Sequence, residues 1–125
     1  MQRLLSSLLD VRRAGPALAY AIKGLQATYR HESAFRQELI ASVLIIPLGI
    51  WLGQSGYERA LLVGSWLLVP LVEVLNSAIE SVIDLASPDR HELAGRGKDQ
   101  AAAAVLLSLV LVTTVWALVL WPRWF

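Results

Sequence analysis

Cysteine is absent from the 125 residues. That excludes a disulfide framework, thiol chemistry and any cysteine–metal site. Charge is scarce as well. Charged residues make up 17% of the chain and apolar residues 56%, against about 25% and about 45–50% in soluble domains. A net charge of +1 leaves no bulk attraction for nucleic acid, and no nucleic-acid partner is expected. No repeat recurs at a fixed period, and Ala101–Ala104 is the one low-complexity tract. The basic N-terminus lacks a continuous apolar core and a small-residue cleavage site, so it does not read as a signal peptide. What the chain has instead is apolar sequence gathered into blocks, with a mean hydropathy of +0.55. This composition implies a small integral membrane protein of one domain, spanning 1–125.

Leu4, Leu5, Leu8 and Leu9 make one helical face, with Arg3, Arg12 and Arg13 at the ends. Gly15-Pro16 breaks that run. Leu18, Ile22, Leu25 and Tyr29 then recur at helical spacing, with Lys23, Gln26 and Arg30 on the opposite side. Residues 1–31 therefore read as basic amphipathic helices lying on a membrane surface. The first span is expected over 33–53, with Glu38 inside the membrane or at its edge, facing protein. A second span follows over 57–86, with Pro70 inside it. Residues 87–99 read as a polar connection, and 100–121 as the clearest span, since Ala101–Trp121 contains no charge. The fold class is thus all-α, three transmembrane helices preceded by a surface helix.

Nine lysines and arginines fall on the side of the N-terminus and the 87–99 connection, against Arg59 and Arg123 on the other. The positive-inside rule then places the N-terminus in the cytoplasm and the C-terminus outside the inner membrane, in the periplasm. Trp51, Tyr57, Trp121 and Trp124 gather at the outer interface, as an aromatic belt does.

One stretch does not belong in a membrane. Glu73, Asn76, Glu80 and Asp84 recur at three, four and four residues, directly after the uncharged Ala60–Val72. On a helix they fall within an arc of roughly 80°. Counting from Arg59 at 1.5 Å per residue, Glu73 lies about 21 Å in, Glu80 about 31 Å and Asp84 about 37 Å. The hydrocarbon core is about 30 Å thick, so the stripe crosses from lipid into water. An intramembrane carboxylate is a functional candidate by default. Desolvated Glu73 suits a general base acting on a group carried by a lipid. The water-facing rim gathers Glu32, His91, Glu92, Lys98 and Asp99, a set that suits a magnesium–phosphate ligand. Gly95-Arg96-Gly97-Lys98 lacks the Walker A spacing and follows no strand, so it is not a P-loop. Asp84, Asp89 and Glu92 read equally as solvated charges. Two classes remain: a membrane enzyme acting on a lipid with a magnesium nucleotide, or a proton-coupled carrier subunit with Glu73 as the proton site. A carrier needs its acid near the midplane, and the off-centre depth of Glu73 favours the enzyme.

Glu73-Val-Leu-Asn76-Ser77-Ala-Ile-Glu80, followed by His91-Glu92-Leu-Ala-Gly95-Arg96-Gly-Lys98-Asp99, resembles the signature of the prokaryotic integral-membrane diacylglycerol kinases. Glu32-Ser-Ala-Phe35-Arg36-Gln37-Glu38 matches as well, as do Trp116 and Trp121, so the resemblance runs roughly from Arg13 to Trp121. It implies a homotrimer that transfers the γ-phosphate of ATP, with Mg2+, to the primary hydroxyl of diacylglycerol, at sites between subunits. By matching position, Glu73 is expected to be the catalytic base, and Glu32 and Glu80 the metal ligands. Nucleotide binding is expected of Arg13, Tyr20, Glu32, Asn76, Glu80, His91, Lys98 and Asp99. The lipid site is expected to draw on Arg13, Phe35, Arg36, Gln37, Glu38, Trp51, Arg59, Glu73, Trp116 and Trp121. Ala21, Ala94 and Ala102 depart from the family pattern and carry no hydroxyl. Related proteins phosphorylate undecaprenol; Glu92 and Gly95-Arg96 look more like the diacylglycerol branch.

Overall fold

The structure, a computed structural model, describes residues 11–124; the expected helix around Leu4–Leu9 lies outside the described residues. A 3-10 turn over Val11–Arg13 leads into α1, Ala14–His31. Three long helices follow: α2 over Ser33–Leu52, α3 over Gly56–Ala86 and α4 over Glu92–Trp124.

The first helix belongs to a unit that ends at His31, and the three long helices make up the other. Gly15-Pro16 does not interrupt α1 but sits in its first turn. Proline is tolerated there because the first amides of a helix have no partner to lose. The Lys23 ammonium lies 5.7 Å from the centroid of the Tyr20 ring, a cation–π distance. Leu18, Ile22, Leu25 and Tyr29 are all exposed.

All three long helices are long and apolar enough to cross a membrane, and the chain is a multi-pass membrane protein. At 1.5 Å per residue α2 is about 30 Å long, while α3 and α4 reach about 46 Å and 50 Å. Only α2 matches the hydrocarbon thickness. The excess of α3 and α4 lies at one shared end, because the other end is tied down. There Ser55 caps α3 by accepting from the Glu58 amide at 3.2 Å, and the Glu58 carboxylate accepts from the Gln54 amide at 2.7 Å. This is a reciprocal cap of the kind that fixes a helix start. Arg59 Nε donates to the carbonyls of Ile50 and Gly53. Gly53 is required at this turn, since a Cβ there would stand 2.9 Å from the Arg59 backbone nitrogen. Arg123 at the end of α4 donates to the Leu52 carbonyl and pairs with Glu58. The three helix ends are thus clasped together.

The central helix is α3: it packs on both neighbours, whereas no Cα of α2 comes within 8 Å of one in α4. Its buried positions are Leu62, Ser65, Trp66, Val69, Glu73 and Asn76, a spacing that keeps one face inward. Lipid tails are as apolar as leucine, so packing and interhelical hydrogen bonds, at about 0.6 kcal/mol each, hold such helices together. Two indoles supply them. Trp66 Nε1 donates to Ser42 Oγ at 2.8 Å, and Trp116 Nε1 donates to the Leu62 carbonyl at 3.0 Å. Gly49 lets α2 close in, with Leu62, Val63 and Trp116 all 3.3–3.4 Å from where its Cβ would be.

One boundary departs from expectation. The polar connection is 87–91, not 87–99, because α4 begins at Glu92. His91 starts it, its Nδ1 accepting from the Leu93 amide at 3.1 Å. Residues 92–99 are the overhanging, water-facing turns of a helix. The glycine that reads as a loop signal, Gly97, is there because Ile83 of α3 occupies its side: an added Cβ would meet Ile83 Cδ1 at 2.9 Å.

Candidate functional site

The acidic stripe of α3 runs along the face that is buried against its neighbours, then out of it. Glu73 is 4% exposed and Asn76 9%. One turn further Glu80 is half-buried, and Asp84 is exposed. The spacing that puts four polar groups on one face therefore also grades them by burial.

Glu73 sits among carboxylates. Glu32 and Glu80 act on it electrostatically, and so does Glu38 of α2. The Asn76 amide hydrogen-bonds the Glu73 carboxylate. Two buried oxygens in this cluster, Glu38 Oε2 and Asn76 Oδ1, have no hydrogen-bond partner. Buried polar atoms are almost always satisfied, so these two oxygens stand out as acceptors within the cluster. Glu32 occupies the N-cap position of α2, with extended backbone, yet its side chain makes no capping bond. Its carboxylate is therefore not committed to the helix amides.

Among the described residues no three histidines or carboxylates gather as a cage for a metal ion. Two carboxylates, Glu32 and Glu80, fit a hard cation that brings phosphate oxygens with it.

Beside the cluster, between the ends of α3 and α4, lies a polar cleft of about 500 Å3. His91 and Lys98, both expected from the sequence, line it. So do Glu92, also counted in the rim, Asp84 and Asp89, which read equally as solvated charges, and Ser87 and Arg90, to which the sequence assigned no role. Lys98 links cleft and cluster: its ammonium lies 2.5 Å from Asp84 Oδ1 and also feels the charge of Glu80. Asp99, next along α4, is exposed and does not line this cleft. Arg13 and Tyr20 are exposed residues of the separate α1 unit.

The residues expected for a lipid are distributed between the two ends of the helices. Phe35, Arg36, Gln37 and Glu38 fill the first two turns of α2, with Phe35 buried. Trp116 and Trp121 line an apolar groove of about 530 Å3 with Ile45, Trp66 and Trp124. Trp51 is exposed outside that groove, and Arg59 binds the carbonyls of the turn. From Phe35 to Trp51 is about 24 Å of helix. Trp66 and Ile45 escaped the sequence reading because nothing in their local pattern separates a groove wall from ordinary packing.

Three membrane-length helices, with a carboxylate cluster beside a polar cleft at one end, define a multi-pass membrane protein. Comparison with known proteins gives that class a family. The family model described as prokaryotic diacylglycerol kinase matches residues 19–120. Diacylglycerol kinase of Escherichia coli strain K12 is 44% identical over 107 residues, 86% of this chain and 88% of that protein. The diacylglycerol kinases of Haemophilus influenzae and Pseudomonas aeruginosa are 43% and 40% identical, covering 78% and 88% of this chain and 82% and 89% of theirs. The chain belongs to the prokaryotic diacylglycerol kinase family, and it is a kinase, a class of enzyme that uses a nucleotide with a metal ion.

Proposed function

We propose that this chain transfers the γ-phosphate of MgATP to the primary hydroxyl of diacylglycerol, giving phosphatidate and ADP and so returning the lipid to phospholipid synthesis. The observation that carries this reading is the near-complete burial of Glu73 among Glu32, Glu38 and Glu80, one face of a helix away from a polar cleft. A base at that depth meets a hydroxyl that only a lipid delivers.

In this scheme Glu73 takes the proton of the hydroxyl. The hydroxyl oxygen forms its bond to the γ-phosphorus as the bond from that phosphorus to the ADP oxygen breaks. Asn76 orients the Glu73 carboxylate through its amide. Glu32 and Glu80 are the carboxylates that would hold magnesium brought by the nucleotide, which would offset the negative charge on the transferring oxygens. His91, Lys98 and Asp99 bind the nucleotide. Lysine serves there as a compact charge for phosphate. Phe35, Arg36, Gln37 and Glu38 receive the lipid head, while Trp116 and Trp121 line the path of its apolar tail, together with Trp51 and Arg59 at the far end.

On this reading the protein lies in the bacterial inner membrane with its N-terminus in the cytoplasm. Assembly as a homotrimer with sites between subunits is what the resemblance to the family implies, and the exposed Leu44, Leu107 and Leu118 suit lipid or a second subunit alike. The test is purified protein in mixed micelles with labelled ATP and either diacylglycerol or undecaprenol. Labelled phosphatidate is expected. Labelled polyprenyl phosphate alone would reassign the acceptor, and no transfer to either, with proton flux in liposomes, would replace the kinase reading by a carrier.

A further inference from the structure

Asp84 has no part in the scheme above, yet it makes the shortest contact in the cleft. Its Oδ1 lies 2.5 Å from Lys98 Nζ. The two residues stand on neighbouring antiparallel helices, each one position beyond the Ile83–Gly97 contact, where the absence of a Cβ brings α3 and α4 together. Both line the cleft. Glu80, one turn back along α3, acts on the same ammonium, so Lys98 spans the step from the cleft to the carboxylate cluster.

The Asp84 and Lys98 side chains are 64% and 40% accessible. Ion pairs this exposed contribute little to folding, so stability does not account for the pair. Its effect is on the freedom of a long side chain. A lysine ammonium sits on a flexible four-carbon stem and carries three donors. One donor on Asp84 fixes the ammonium at the wall of the cleft and leaves two for phosphate oxygens.

We propose that Asp84 is a positioning residue for nucleotide binding, holding Lys98 so that the ammonium meets the nucleotide phosphates already ordered. This rests on the kinase reading of the site. Asp84 keeps its hold when phosphate arrives, since the remaining donors suffice for both partners.

The chain has two lysines, Lys23 and Lys98, and Lys23 is exposed on α1. Lys23 is therefore an internal reference for trace acetylation by acetic anhydride, read by mass spectrometry on the full-length protein in micelles. An ammonium held by a carboxylate is a poorer nucleophile than a free one. Asp84→Asn is expected to raise Lys98 labelling relative to Lys23 about threefold, and to raise the KM for MgATP by about the same factor. The kcat, the KM for diacylglycerol and the melting temperature stay unchanged, and Asp84→Glu restores most of the loss. An unchanged labelling ratio overturns the proposal. So does an unchanged KM for MgATP, and so does a lowered one, which would make Asp84 a competitor of the phosphate. If the wild type phosphorylates no lipid, the kinase reading falls by itself. Labelling with and without MgATP then decides: protection of Lys98 that weakens in Asp84→Asn supports the tether, and equal protection overturns it.

Discussion

Replacing Glu73 by glutamine changes one oxygen to an amide in the most enclosed part of the site. The side chain keeps its length and still accepts from the Asn76 amide through its remaining oxygen. The packing around Leu62, Trp66 and Val69 is untouched. The substitution also removes the carboxylate on which Glu32 and Glu80 act and which acts on Glu38, so the folded protein should be at least as stable as the wild type. What is lost is the ability to take a proton. A positioned general base contributes about 10²–10⁴-fold, which is about 3–5 kcal/mol of barrier at 1.36 kcal/mol per tenfold. The expected result is a fall in kcat of that size, with the KM for MgATP within about twofold, because the nucleotide-binding groups are unaffected. The assay is labelled phosphate transfer in mixed micelles, with melting and size-exclusion profiles run alongside. Wild-type-like turnover in a folded variant would refute the assignment. A fall in kcat accompanied by loss of the folded oligomer would refute the claim that Glu73 is dispensable for assembly.

Glu32→Gln and Glu80→Gln should each shift the magnesium titration of activity to higher concentration and leave the KM for diacylglycerol unchanged; overlapping titrations would remove both from the metal. Gly97→Ala should be close to neutral by thermal melting, because Ile83 Cδ1 can turn aside and alanine favours the helix by about 1 kcal/mol. Gly97→Leu should cost about 1–3 kcal/mol by overpacking and raise the KM for MgATP; equal melting of both variants would deny the close approach of α3 and α4. Trp66→Phe removes the hydrogen bond to Ser42 and should lower stability by about 0.6–1.7 kcal/mol, measured by unfolding in mixed micelles.

The three spans were legible because their signal is compositional: uncharged blocks such as Ala101–Trp121 need no knowledge of neighbours. The burial order from Glu73 to Asp84 was legible for a similar reason, since helical period and distance from Arg59 are both local. The start of α4 was not. Glycines at 95 and 97 among charged residues look like a loop, and only Ile83, fourteen residues earlier, shows what one of them faces inside a helix. The partner of Lys98 was hidden in the same way. Asp84 read as a solvated charge because nothing along the chain places it against a lysine on the next helix. Arg59 and Arg123 counted correctly as cations of one side, but counting them could not reveal that both bind the turn between α2 and α3.

That clasp has a further consequence. With α2, α3 and α4 fastened at one end, the distance from the fastening to Glu73 is set by the helical rise alone, about 21 Å from Arg59. The protein therefore measures its bilayer from one face with a rod of fixed length. A membrane a few ångströms thicker, with the clasp anchored at its own interface, carries its opposite head groups past Glu80 and toward Asp84. A thinner one brings water down toward Asn76. Hydrophobic mismatch of this kind costs fractions of a kcal/mol per ångström, small for the fold but, in the proposed reaction, large for a site whose two substrates would come from opposite sides of that moving boundary. Acyl-chain length in the surrounding lipid is then a control on access to Glu73, independent of which lipid is the acceptor.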